Sequence, residues 1–138
     1  MRFLVDSNVL SELRKENRCD ERVRAWHGAQ GGDDFAISVL TLGKIKRGIE
    51  LLRPRDPEQA ERLERWLDEL KSRYRACILP VTEEIAEKWA GLSIDQPLPD
   101  VDGLLAATAL VHDLTVATRN TRDFSRSGVP MVNPFLFC

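Results

Sequence analysis

Apolar and polar positions change period several times along this chain, and the changes mark its elements. Phe3, Leu4 and Val5 run apolar without alternation, and the run stops on Asp6, Ser7 and Asn8. Such a strand suits a parallel sheet covered on both faces. Val9, Leu10 and Leu13 then share one side of a short helix over residues 7–15, and Val23 and Trp26 point inward from a second helix over 20–30. GGDD is a turn, and residues 35–40 (FAISVL) are a second apolar strand. Thr41 is placed to cap a helix over 42–52, where Leu42, Ile45, Ile49 and Leu52 fall at helical spacing, and RPRD breaks it.

The second half repeats the alternation. Asp56 followed by Pro57 opens a helix reaching Tyr74, with Leu63, Trp66, Leu67, Leu70 and Tyr74 as its apolar stripe. Residues 76–81 (ACILPV) read as a third strand, Thr82 starts a helix through residue 93, and DQPLPD is a loop. The segment VDGLLAATALVHD is a helix apolar nearly all round, which places it deep in the fold. Residues 114–120 (LTVATRN) give a fourth strand ending in polar residues, and VPMVNP a short fifth. Strands and helices alternating in this way predict an α/β sandwich with a mostly parallel sheet and a single domain over 1–138.

Composition narrows the classes. The chain is 43% hydrophobic and 30% charged with a formal net charge of −2, which neither requires nor forbids a nucleic-acid partner. Cys19, Cys77 and Cys138 lie far apart, in neither a zinc spacing nor a disulfide framework. No apolar run approaches the roughly 18 residues of a membrane span. With no signal-peptide pattern at the start, the expectation is a cytoplasmic protein without membrane contact.

Candidate chemistry gathers at the strand ends. In parallel α/β sheets the crevice beyond the carboxyl ends of the strands is where ligands bind, and Asp6 stands there. The competing reading makes Asp6, Ser7 or Asn8 a helix cap. Asp102 lies in the first turn of the apolar helix, where the helix dipole alone would favour a carboxylate by about 0.3–1 kcal/mol. Asn120 and Asp123 follow the fourth strand, where an ordinary Asn/Asp turn is the alternative. His27 and His112 pair with no nucleophile, and His112 is expected to cap its helix or face solvent. Trp26, Trp66 and Trp89 each sit on an apolar stripe and are read as core rather than as base-stacking residues. Arg14, Lys15, Lys46, Arg47, Arg119 and Arg122 are either solvated helix faces or an RNA track around the crevice.

In order along the chain, DSNVLSE, SVLT, DGLLAATA and ATRNTRDF with NP resemble the signature of the PIN domain. The resemblance is to the VapC-type ribonuclease toxins of type II toxin–antitoxin systems, with their FitB-like branch, and it covers essentially the whole chain. It implies a three-layer α/β/α sandwich and endonucleolytic cleavage of RNA with Mg²⁺ or Mn²⁺. Asp6 and Asp102 would then be the principal metal ligands, with Asn120 or Asp123 at the fourth acidic position. Asn8 and Thr118, and with less support Ser7, would orient the carboxylates. It also implies a cognate VapB-like antitoxin, a homodimer within a larger toxin–antitoxin assembly, and contact with DNA only through the antitoxin. An antitoxin segment would cover apolar surface, since Leu10, Leu13, Ile45 and Ile49 cannot all be assigned to one core. A receiver-type phosphotransfer domain is disfavoured, because Thr82 and Arg119 stand where such a domain needs Asp and Lys.

One departure from the family pattern changes the picture. TLGKIKRG places Lys44 where the family carries a Glu that completes its acidic cluster. At about 4 Å and an effective dielectric near 20, one unit-charge interaction is worth roughly 4 kcal/mol, so an ammonium there should severely weaken metal binding. Lys44 would either pair with Asp6 or Asp102 in the metal's place or point to solvent, and Glu50 lies off the face needed to compensate. The favoured account is an impaired nuclease carrying a selected or engineered substitution. A PIN-fold module that binds antitoxin or RNA without cleaving is the alternative.

Overall fold

The computed structural model describes residues 1–138. Five strands form one sheet in the order β3-β2-β1-β4-β5, with every neighbouring pair parallel. The strands are β1 (Phe3–Val5), β2 (Phe35–Ser38), β3 (Ile78–Leu79), β4 (Thr115–Ala117) and β5 (Met131–Val132). The helices are α1 (Ser7–Leu13), α2 (Glu21–Gly28), α3 (Val39–Leu52), α4 (Pro57–Arg73), α5 (Glu83–Ala90), α6 (Asp100–Val111) and α7 (Thr121–Phe124).

The pleat sorts the strand residues into two cores, which makes the three layers. Phe3, Val5, Phe35, Ile37 and Ala117 join Val9, Val23, Trp26, Ile49 and Leu67 on the face covered by α1 to α4. Leu4, Ala36 and Val116 point the other way, into Leu105, Ala106, Ala109 and Phe124 of α6 and α7. Fully apolar strands are therefore required on both faces, as the unbroken Phe3–Val5 run implied. Aromatic packing adds to the first core. Phe3 meets Trp26 edge-on at 5.1 Å, and His27 stacks on Phe35 at 5.0 Å. Such ring pairs contribute about 0.5–1.5 kcal/mol beyond burial.

Several expectations are corrected. β2 ends at Ser38, and it is Ser38, not Thr41, that caps α3, by accepting from the Leu40 N–H at 3.0 Å. Thr41 lies in the first turn of α3, fully buried, with its hydroxyl unpartnered. Leu10 and Ile49 are buried in one core, with Leu13 and Ile45 packed half-buried against it, so the four do belong together. Trp26 is 2% exposed, but Trp89 is 36% exposed and not core. It lies over the backbone of Gly103, where a Cβ would come within 2.8 Å of its ring. Asp56 and Thr82 do cap α4 and α5, and α6 is the buried helix its composition demanded. α6 stops where Asp113 adopts a left-handed conformation (φ 57°) just after its C-cap, His112, which is exposed. No helix is long and apolar enough to cross a membrane.

Candidate active site

The strand order reverses beside β1. The chain builds outward through β2 and β3, then returns to place β4 against β1 on the other side. The carboxyl ends of β1 and β4 are thus a topological switch point, where open α/β sheets bind ligands. Asp6 follows β1 there and Thr118 follows β4. Both side chains are buried, Asp6 at 3% exposure.

Capping and site geometry share the Asp6 carboxylate, so the two readings of this residue do not exclude each other. Oδ1 accepts from the Ser7 N–H at 2.8 Å, which caps α1. Oδ2 accepts the Thr118 hydroxyl at 2.8 Å and, more weakly, the Asn8 amide at 3.4 Å. Asn8 also donates to Thr118 Oγ1 at 3.3 Å, and its own Oδ1 accepts from the Arg119 N–H at 3.1 Å. Thr118 Oγ1 accepts in turn from the Asn120 N–H at 3.0 Å, a local Ser/Thr turn that fixes the chain leaving β4. Sequence reasoning missed the part played by the Arg119 and Asn120 backbone. The signal available was a threonine two residues before an asparagine at a strand end.

Lys44, from the second turn of α3, places Nζ 3.2 Å from Asp6 Oδ1. Its side chain is 35% exposed while that of Asp6 is 2% exposed, so the pair joins an inner carboxylate to an outer cation. Asp102, half-buried in the first turn of α6, feels the same charges. Burial holds its carboxyl above the usual carboxylate range. Lys44 opposes that rise, and the neighbouring charges of Asp6 and Asp123 add to it. Asp123 is exposed on α7. Asn120 enters the network by its backbone only and makes no side-chain cap on α7.

These residues do not fit a divalent cation as they stand. Magnesium-class ions want near-octahedral oxygen ligation. Both Asp6 oxygens are already committed, one of them to an ammonium. No group of three or more His, Cys, Asp or Glu side chains is disposed to hold a metal ion. Glu50 cannot supply the missing acid, since it pairs with Lys46 at 3.3 Å and Arg53 at 2.8 Å.

Two of the six cations considered for an RNA track are ion-paired within the chain, two lie over aromatic rings and two are exposed. Lys15 pairs with Glu12 at 3.0 Å, and Lys46 is held by Glu50 and Glu64 between α3 and α4. Arg14 lies over the Trp66 ring and Arg119 over Phe135. Arg122 and Arg47 are exposed.

Fold and site together define an α/β protein whose acids gather at the carboxyl edge of a parallel sheet. The PIN domain family model matches residues 3–129, and the chain belongs to that family. It is 34% identical over 141 residues to Toxin FitB of Neisseria gonorrhoeae, covering 96% of this chain and 98% of that protein. It is 28% identical over 138 residues to VapC ribonuclease Y4jK of Sinorhizobium fredii, covering 96% and 97%. Among solved structures, FitAcB from Neisseria gonorrhoeae superposes with a TM-score of 0.86 at 30% identity, covering 98% of this chain and 99% of that one. A toxin–antitoxin complex from Klebsiella pneumoniae gives 0.68 at 27% identity, covering 97% and 98%.

Proposed function

We propose that this chain is the toxin of a type II toxin–antitoxin pair, an endoribonuclease by family whose activity is impaired here by Lys44. The end-to-end similarity to Toxin FitB and to a VapC ribonuclease supports the toxin assignment. The observation that carries the impairment is the Lys44 ammonium 3.2 Å from Asp6 Oδ1. In a Lys44→Glu form, Asp6 and Asp102 would be the principal ligands of Mg²⁺ or Mn²⁺. Asp123, whose charge acts on Asp102, is favoured over Asn120 as the fourth site residue. Asn8 and Thr118 position the Asp6 carboxylate. A bound cation would supply charge stabilisation for phosphodiester hydrolysis. The partners of this reading are a VapB-like antitoxin, an RNA substrate and a second copy of the chain, with DNA reached only through the antitoxin. The chain acts as one PIN domain over 1–138.

The same ion pair also favours the second reading, a PIN-fold module that binds its partner or RNA without cleaving. One experiment separates the two. The parent and Lys44→Glu proteins are co-expressed with the small open reading frame upstream, purified, freed of the partner and assayed on RNA with Mg²⁺. Impairment by Lys44 requires that Lys44→Glu cleave, and arrest growth when expressed without that partner, while the parent does neither. Equal cleavage by both overturns the role of Lys44, and cleavage by neither favours the binding module. Absence of any co-purifying partner overturns the toxin reading.

A further inference from the structure

We propose that the cleft between α1, α3 and α4 receives a carboxylate carried on an acidic, aliphatic peptide segment. This deepens the reading above, in that it rests on a protein partner covering the site and states the chemistry that partner brings. The cleft is about 340 Å³ and opens directly beside Lys44. Arg14, Lys44, Ser7 and Ser11 supply its polar lining, and no acidic residue lines it. Lys44 donates one hydrogen bond, to Asp6, and has no other acceptor in the chain. Arg14 is half-buried with its guanidinium 5.9 Å from the Trp66 ring centre and engages no carboxylate.

Several neighbouring cations on these elements are neutralised, while Arg47 and Arg65 are exposed and lie outside the cleft lining. Lys15 is paired with Glu12, and Lys46 and Arg53 with Glu50 and Glu64. Two cations therefore line one cleft with donors to spare, Lys44 having used one on Asp6, and charge-assisted hydrogen bonds to a carboxylate are the strong way to fill them. The remaining walls, Ile45, Leu63 and Trp66, are apolar and half-buried, which suits aliphatic side chains beside the acid. Beyond Arg14 and Trp66, which line both, a second cleft of about 400 Å³ continues over Leu13, Leu70 and Tyr74. An extended peptide can run along that continuation. A nucleic-acid backbone would need a run of exposed cations leading outward, and with Lys15 and Lys46 paired the run beside the cleft is reduced to Arg47.

The usual partner of a clustered-acid site would be a cation. Here Lys44 already neutralises Asp6 and, with Arg14, lines a cleft that holds no acid, so the charge complementary to that cleft is negative. The test is an amide-resolved NMR titration of the full chain with the capped peptide Ac-Leu-Glu-Leu-NH2, its Ac-Leu-Gln-Leu-NH2 counterpart, and an oligouridylate. The expected result is saturable shifts at Ser7, Ser11, Lys44 and Gly48 with the Glu peptide. Binding should weaken about tenfold or more for the Gln peptide, and likewise for Arg14→Gln with the Glu peptide, the loss of one charge-assisted hydrogen bond. Equal binding of the two peptides, no shifts with the Glu peptide, or tighter binding of oligouridylate at the same amides overturns the proposal. Failure here beside a co-purifying upstream partner sinks the carboxylate alone. Peptide binding with no such partner sinks the toxin reading alone.

Discussion

Thr118 donates its hydroxyl to Asp6 Oδ2 over 2.8 Å although the two residues are 112 positions apart in sequence. Replacing it by the near-isosteric valine leaves that oxygen with only the 3.4 Å contact to Asn8. It also strips the Asn8 amide and the Asn120 N–H of a shared acceptor. Thr118→Val is expected to lose about 1–3 kcal/mol in urea unfolding, with Thr118→Ser retaining most of the stability. A valine variant as stable as the parent would show that the bond contributes nothing net.

Removing the Lys44 ammonium exposes the cost of the acids around it. Lys44→Met is expected to destabilise by about 1–3 kcal/mol, below the 3–5 of a fully buried pair because the lysine is partly solvated. Lys44→Glu should be less stable still in a chelator, and Mg²⁺ should raise its thermal midpoint through mass action. The parent's midpoint should not respond to Mg²⁺. Equal Mg²⁺ responses in both proteins would mean that the lysine does not displace the cation.

His27 gives the fold a pH dependence away from the acids. Burial, followed by the charge of Arg73, lowers its pKa from the ordinary 6.5. The unfolded chain therefore binds a proton that the folded chain resists, so stability is undiminished above 6.5 and falls as pH drops through the interval beneath it. Urea midpoints followed across that interval should fall less steeply in His27→Gln. Identical slopes would remove His27 from the account.

Gly103 tests the α5–α6 contact. A Cβ there would lie 2.8 Å from Trp89 Cδ1 and 2.9 Å from Nε1. Gly103→Ala gains up to about 1 kcal/mol of helix propensity, set against an overpacking cost of about 1–3 kcal/mol. Net destabilisation is expected, and it should shrink when Trp89 is also replaced by Ala. A double-mutant cycle reads that coupling, and full additivity would place the strain elsewhere.

The layers and the site differ in how far the sequence discloses them. An unalternating Phe3–Val5 run and an apolar 101–112 helix can be satisfied only by a sheet covered on both sides, so the architecture was legible. Asp6 was legible because a carboxylate ended that run. The α3 start was not, since Ser38 and Thr41 both suit an N-cap and only the β2 register settles which is used. Trp89 misled because an apolar position on a helix marks the side turned inward, not how deeply it is covered. What Lys15 and Lys46 face was left open, since pairing with Glu12 and Glu64 depends on which turns and helices meet. The α7 turn escaped notice because four residues carry too little periodicity to register.

The wide separation of Asp6 and Thr118 also makes the chain divisible. Between α5 and α6 the exposed turn at Ser93–Gln96, with Ile94 71% exposed, separates the half that carries Asp6 and Lys44 from the half that carries Asp102, Thr118 and Asp123. A cut there would leave neither piece holding an intact site. What each inherits is one side of a lock, and the lock closes only when β4 is laid against β1.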